Sequence, residues 1–188
     1  TTLQDGTKLA GLQGGYVIPP SNALETNFSY IAYGYYLGQN TLASKSKIES
    51  EIAKYIELTL PFCFDVSNFP NYKVTAGTSR ASVKISSNYL SASISYPFTA
   101  TKAESSHRVD KTYKAEYKAK LGDMYSVAQE IINKETQNSN NIDFTYLNGF
   151  NYDISLLNEG DNIIVYSITD YNLNDAGSYT FRFANRIK

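Results

Sequence analysis

The residue types that most often carry chemistry in proteins are scarce in this chain. It has one cysteine, Cys63, and one histidine, His107. A zinc or haem site needs several soft ligands and an intramolecular disulfide needs two cysteines, so the sequence predicts neither. Cys63 lies between phenylalanines and is interpreted as a small buried hydrophobe, whereas His107 follows two serines and is predicted in a solvated loop. We therefore expect no cofactor and no transition metal.

The acidic residues offer few catalytic candidates. A serine hydrolase would need His107, yet the sequence contains no Gly-x-Ser-x-Gly elbow. Pairs of carboxylates serve glycoside hydrolysis, but acids on helices and turns are usually solvated. The available pairs are Glu49/Glu51, Asp143/Asp153 and Asp161/Asp170. We expect that the protein is not an enzyme, and a hydrolase that uses His107 or an acidic pair is the alternative.

A run of Asp and Asn near the C-terminus has the hard oxygen ligands that calcium prefers. The residues are Asp161, Asn162, Asp170, Asn172, Asn174 and Asp175. The EF-hand spacing is absent, and Asn and Asp are also the ordinary residues of turns. Turns between strands are therefore favoured over a calcium site.

Length and composition limit the class of protein. The chain has 188 residues, which suits one domain, and we predict a single domain over residues 1–188. Its formal net charge of -1 lacks the basic excess of proteins that bind nucleic acids or anionic membranes, so no nucleic-acid partner is expected. Charged residues are only 19% of the chain, whereas it contains 17 Tyr. The surface is therefore expected to rely on Ser, Thr, Asn and Tyr.

Two amphipathic helices are predicted by apolar residues at helical spacing. The first covers about 45–60 and has the spacing of a capping box between Ser46 and Glu49. The second covers about 123–136. Near the N-terminus, a short extended segment is predicted after Gly15.

Alternation of apolar and polar residues predicts a mainly antiparallel β-sheet. The clearest signal is a hairpin formed by 80–86 and 90–96, with 72–76 as a candidate neighbour. The segment 113–121 is predicted at a sheet edge because lysines recur on its outer face. Further strands are predicted over 30–37, 152–157, 163–170 and 179–184. The sequence thus predicts an α+β fold with two amphipathic helices.

Three candidate sites concern the surface. Four tyrosines would form a contact patch if alternate members face outward, but packing of one face on the sheet core, with the other face merely exposed, is the favoured explanation. They are Tyr30, Tyr33, Tyr35 and Tyr36. A candidate assembly segment is defined here by Leu12, Tyr16, Val17 and Ile18. This segment or another sheet edge is expected to donate main-chain hydrogen bonds to a neighbouring subunit. Asn27 begins an Asn-x-Ser tripeptide and is a candidate glycosylation site.

Several stretches of the chain resemble a family of uncharacterised, surface-exposed, single-pass membrane proteins of DPANN archaea. The residues that carry the resemblance are Ala10–Pro20, Phe28–Tyr33, Tyr35–Gly38, Tyr55–Glu57, Leu60–Cys63, Leu121–Tyr125, Ala128–Ile131 and Val165–Asp170. Proteins of that family have a short N-terminal membrane segment, similar to a pilin leader and helix, that is absent from this sequence. The resemblance implies a location outside the cell or at its surface, with membrane contact only through such an upstream segment. It implies no activity for any residue.

Together these observations predict a non-enzymatic structural protein of the cell surface that assembles with copies of itself into a filament or surface appendage. Strand addition between subunits is the expected mechanism. The alternative is a membrane-anchored adhesion module that presents its tyrosines to a host or neighbouring cell, a peptide or a glycan. The partner is then another molecule instead of a second copy of the chain.

Overall fold

The computed structural model describes residues 1–27, 29–65, 69–137, 142–171 and 178–187. Its helices are α1 (Thr2–Leu12), α2 (Lys45–Thr59), α3 (Leu121–Gln137) and the single turn α4 (Phe144–Leu147), with a 3-10 helix over Leu60–Cys63. Two of these, α2 and α3, confirm the amphipathic helices predicted from apolar spacing. The α+β class is confirmed as well.

The strands form mostly antiparallel sheets. In chain order they are β1 (Leu24–Glu25), β2 (Tyr30–Ile31), β3 (Tyr33–Tyr36), β4 (Gln39–Asn40), β5 (Lys73–Ala76), β6 (Arg80–Ile85), β7 (Tyr89–Ser95), β8 (Phe98–Lys102), β9 (Ser105–Val109), β10 (Thr112–Lys118), β11 (Asp153–Gly160), β12 (Ile163–Asp170) and β13 (Tyr179–Arg186).

The largest sheet has five strands in the order β11-β12-β13-β3-β4. The three C-terminal strands predicted from the sequence are confirmed and form the antiparallel meander β11-β12-β13, and β13 also pairs in parallel with β3. One face of this sheet carries Tyr166 and Phe183, whose rings stack with centroids 5.1 Å apart within the main core. The opposite face packs Val165 and Ala184 against Ile31 of the β1–β2 hairpin. Alternation along β12 and β13 therefore supplies both faces with apolar side chains.

A second sheet has the strand order β10-β7-β6, and a third has the order β9-β8-β5. Each strand of the second sheet is adjacent along the chain to one strand of the third. We call β5, β8 and β9 the arm. Pro97 lies between β7 and β8, and its carbonyl accepts a hydrogen bond from the Gly77 N–H at 2.8 Å. Val83, Leu90 and Tyr117 of the first three strands lie in the main core. No arm residue belongs to the hydrophobic core of the described chain, so the arm extends beyond it.

Helix α1 was not expected from the sequence. Leu3, Thr7 and Ala10 lie on its buried face, which packs on α2 and β13. Beyond its end, Gly14 and Gly15 adopt positive φ angles of 73° and 95°, which glycine accepts without steric cost. The predicted extended segment after Gly15 is wrong as a strand, because residues 16–20 belong to no sheet.

Four further local predictions were wrong. Ser44, not Ser46, caps α2, since its Oγ accepts a hydrogen bond from the Lys47 N–H at 3.2 Å. The segment 72–76 pairs with β8 in the arm and not with the 80–96 hairpin. His107 lies in β9 instead of a loop, although it is exposed as expected. Cys63 is exposed and not buried, because the 3-10 helix that carries it buries no side chain.

Candidate functional site

A pocket of about 270 Å³ with a polar floor lies between α3, α4 and β12. Ile131, Lys134 and Glu135 reach it together because residues three and four apart share a helix face. Leu147 and Tyr166 complete the inner wall. The remaining lining residues are Ile142, Asp143 and Tyr146. We call this site the α3–α4 pocket.

A carboxyl group forms the polar floor of the α3–α4 pocket. Glu135 is only 8% exposed, and its two oxygens accept hydrogen bonds from the Tyr166 hydroxyl and the Asn185 amide. Burial raises the pKa of Glu135 above its ordinary value, and these two hydrogen bonds only partly oppose the shift. The Asn185 Oδ1 atom is buried without a hydrogen-bond partner among the described residues. The floor of the pocket therefore carries a carboxyl group whose hydrogen-bond donors are both neutral.

The mouth of the pocket is charged. Lys134 Nζ lies 2.8 Å from Asp143 Oδ2 and 3.7 Å from the centroid of the Tyr146 ring. Asp143 also caps α4 by accepting a hydrogen bond from the Tyr146 N–H at 2.9 Å. The Lys134 ammonium and this N–H hold the pKa of Asp143 below its ordinary value. On the other side of the ring, the Tyr146 hydroxyl donates to Glu130 Oε2 at 3.3 Å.

Glu135 was not among the acidic candidates from the sequence. The signal was present, since Ala128, Ile131, Ile132 and Glu135 share the spacing of one apolar face of α3. An acid in such a stripe must be buried, and a buried acid needs partners. The partners lie on β12 and β13, too far along the chain for spacing to identify them.

A second feature is that the edge strands differ in how their outward backbone groups are covered. The backbone N–H groups of Ala81 and Ile85 on β6 donate to the side chains of Glu57 at 2.8 Å and Glu49 at 2.9 Å. These carboxylates on α2 close the β6 edge. At the other side of the same sheet, β10 is an edge strand as its lysines predicted. In the arm, β9 pairs with β8 alone among the described strands, and Ser105 through Arg108 are exposed.

The four candidate tyrosines do not share one surface. Tyr30 is 47% exposed, whereas Tyr35 is 2% exposed and lies in the main core, so Tyr35 is wrong as a contact residue. Tyr33 and Tyr36 are half-buried and their rings meet edge to face with centroids 4.9 Å apart. The register of β3 on β13 shifts between Tyr33 and Tyr35, which pair with the successive residues Ala184 and Asn185, so Tyr35 turns to the main core while Tyr33 packs on the opposite face.

The candidate assembly segment is held within the chain. Glu51 Oε2 accepts hydrogen bonds from the N–H groups of Val17 at 3.2 Å and Ile18 at 3.3 Å. Lys47 lies over the Tyr16 ring, 5.5 Å from its centroid. Leu12 and Ile18 are exposed, but Leu12 belongs to α1 and not to an extended segment. These backbone donors are therefore not free to pair with a neighbouring strand.

The other candidates are dispersed. Asn27 is exposed, as a glycan acceptor must be. Glu49 and Glu51 bond backbone N–H groups of different segments and so do not act as a pair. Asn172, Asn174 and Asp175 of the calcium candidate lie outside the described residues, and no group of three His, Cys, Asp or Glu within those residues could hold a metal ion. In the same part of the chain, no helix has the length and hydropathy needed to cross a bilayer.

Comparisons with protein-family models, with curated proteins and with solved structures found no match to this chain.

Proposed function

We propose that the protein is a non-enzymatic structural protein of the cell surface or extracellular space that assembles with copies of itself by strand addition. The arm carries this proposal. Its strand β9 presents exposed residues at a sheet edge that no other described strand pairs with. Such an edge is a template for another chain, because the outward N–H and C=O groups of an edge strand take no part in its own sheet.

The contrast with β6 supports an assembly role for β9. Monomeric proteins protect their edge strands, and here Glu49 and Glu57 protect β6. Lysines on β10 serve the same purpose. The arm adds no residue to the hydrophobic core of the described chain, although Phe98 packs on the Phe64 ring with centroids 5.3 Å apart. A contact with a second copy would give the exposed strand β9 a role.

The proposed donor is a sheet edge and not the Leu12 to Ile18 segment, whose backbone donors bond Glu51. The edge strand β11 of the five-stranded sheet is a suitable donor, because it has eight residues and Leu157 on it is 52% exposed. A contact between β9 of one copy and β11 of the next joins two different surfaces. Contacts of this kind produce open filaments unless the rotation closes a ring.

The test is a proline substitution at an outward N–H of β9. The two-residue turn Ala103–Glu104 makes Lys102 and Ser105 the hydrogen-bonded pair that ends the hairpin, so alternation directs the N–H of Ser106 outward. Ser106→Pro removes that donor without removing a bond of the hairpin. Ser106→Ala is the matched control, because it removes the hydroxyl and keeps the N–H.

Sedimentation velocity over a range of concentrations, with negative-stain imaging, measures the outcome. We expect wild type and Ser106→Ala to form oligomers or filaments and Ser106→Pro to remain monomeric with unchanged circular dichroism. A wild-type protein that stays monomeric at the highest soluble concentration would overturn the proposal. Assembly that is equal in all three proteins would exclude the β9 edge.

A second candidate is adhesion through tyrosines, favoured by the exposure of Tyr30 and by the Tyr33–Tyr36 pair. Arg186 lies over the Tyr36 ring, 5.9 Å from its centroid, which gives this patch a cationic side chain as well. Aromatic rings with a polar end are common in recognition surfaces. Equal binding of wild type and a Tyr30→Ala/Tyr36→Ala variant to neighbouring cells or glycan arrays would exclude it.

A further inference from the structure

We propose that the α3–α4 pocket binds a small organic cation, a primary amine on an apolar body. The pocket holds about 270 Å³ and has apolar walls from Ile131, Ile142 and Leu147. These walls suit a hydrocarbon ring or short chain. None of the lining residues belongs to the arm, so this activity is separate from the proposed self-association.

The charges of the pocket favour a cation over an anion. Glu135 at the floor accepts hydrogen bonds only from neutral groups, and it forms no ion pair among the described residues. A buried carboxylate without a cation is unfavourable, and an ammonium group would compensate it. The direction of the Glu135 pKa, raised by burial, agrees with this missing charge. Lys134 is the one basic lining residue, and Asp143 already neutralises it.

The contacts of Lys134 show how an ammonium group binds at the mouth of the pocket. Lys134 Nζ contacts both the face of Tyr146 and the carboxylate of Asp143. An aromatic face beside a carboxylate is a favourable environment for an organic cation. Because the Lys134 side chain is 42% exposed, it can leave the mouth at low cost. Lys134 lies at the mouth that a ligand passes to reach Glu135, so its positive charge and side chain oppose the entry of an amine, and removing its ammonium opens the site.

The experiment uses cyclohexylamine as the probe, with cyclohexanol and cyclohexanecarboxylate as neutral and anionic controls of the same shape. Binding is followed by NMR shifts of the Ile131, Ile142 and Leu147 methyl groups in the full chain. We expect saturable shifts with the amine, and at least about tenfold weaker binding of the alcohol and the acid, because each lacks the ammonium that pairs with the buried carboxyl.

Two variants identify the groups responsible. Glu135→Gln keeps the size of the side chain and removes its charge, so amine binding should weaken roughly tenfold. Lys134→Met removes the competing ammonium and should tighten amine binding about twofold or more. Lys54→Met is the matched control, because it removes an exposed lysine of α2 and should leave the affinity unchanged.

Clear outcomes would overturn the inference. It fails if the amine gives no saturable shifts, or if cyclohexanol and cyclohexylamine bind equally to wild type. It also fails if Lys134→Met and Lys54→Met change the affinity alike, since only net charge would then matter. Lys134 lies at the exposed mouth, so Lys134→Met remains a fair test even if Glu135→Gln does not fold.

Discussion

The side chain of Glu57 accepts a hydrogen bond from the backbone N–H of Ala81 at 2.8 Å. Glu57 is on α2 and Ala81 is on β6, so a helix side chain takes the place of the strand that would otherwise pair there. Glu49 forms the equivalent bond to Ile85 two turns earlier in the helix. The pair explains how one edge of the sheet is closed, whereas no side chain of the described residues covers β9 in this way.

Removing this protection should destabilise the protein. Glu57→Ala leaves the Ala81 N–H without its acceptor, and we expect a loss of about 1–3 kcal/mol in the free energy of unfolding. Glu57→Gln keeps an acceptor oxygen and should lose less. Urea denaturation of both variants measures the difference. An equal loss in the two variants would mean that the hydrogen bond to Ala81 is not the cause.

Glu51 should make the stability of the protein depend on pH in acid. Burial alone would raise its pKa, but hydrogen bonds from Lys47, Val17 and Ile18 hold the pKa below the ordinary value of 4.5. A lowered folded-state pKa stabilises the fold above about pH 4.5, and that contribution is lost as the pH falls through the folded-state value.

Glu51→Gln isolates this effect. We expect wild type to exceed the variant by about 1–3 kcal/mol in the free energy of unfolding near neutral pH, because charged acceptors form the stronger hydrogen bonds. The gap should narrow as the pH falls to about 3. Urea denaturation at several pH values measures it. A gap that does not change with pH would show that the charge of Glu51 has no part in holding the segment.

Substitution of two tyrosines should separate core from surface. Tyr35→Ala removes a ring that is 2% exposed, so we expect a loss of about 3–5 kcal/mol in the free energy of unfolding. Tyr30→Ala, at a site 47% exposed, should cost less than about 1 kcal/mol. Thermal and urea unfolding compare the two variants. A large loss for Tyr30→Ala would contradict its assignment to the surface.

Helix α3 should tolerate no side chain at Gly122. A Cβ there would lie 2.3 Å from the Ser86 carbonyl oxygen, so Gly122→Ala forces the backbone of the β6–β7 turn to move. We expect a loss of about 1–3 kcal/mol or more. Gly6→Ala in α1 is the control, since its closest neighbour is the Tyr55 ring at 2.8 Å and alanine favours the helix. Equal losses of unfolding free energy in the two variants would mean that contact with the Ser86 carbonyl is not the cause of the loss at Gly122.

Much of the secondary structure could be predicted from local spacing. Apolar residues such as Ile48, Ile52 and Ile56 recur along one helix face, and strict alternation marked β6 and β7. Such patterns depend only on residues that are close in the sequence, so they can be recognised without knowing how the rest of the chain folds. Helix α1 escaped prediction because its polar, glycine-containing sequence forms a helix only when packed on α2 and β13.

The candidate sites depended on contacts between distant segments. The sequence determined that the chain has one cysteine and one histidine, and its patterns predicted the α+β class that the structure has. Only the tertiary structure decided that Tyr35 is buried, that Glu51 holds Val17, and that Glu135 meets Tyr166 across 31 positions of the chain. Burial and pairing of polar groups depend on which elements pack together, and spacing along one element carries no information about its partner in another.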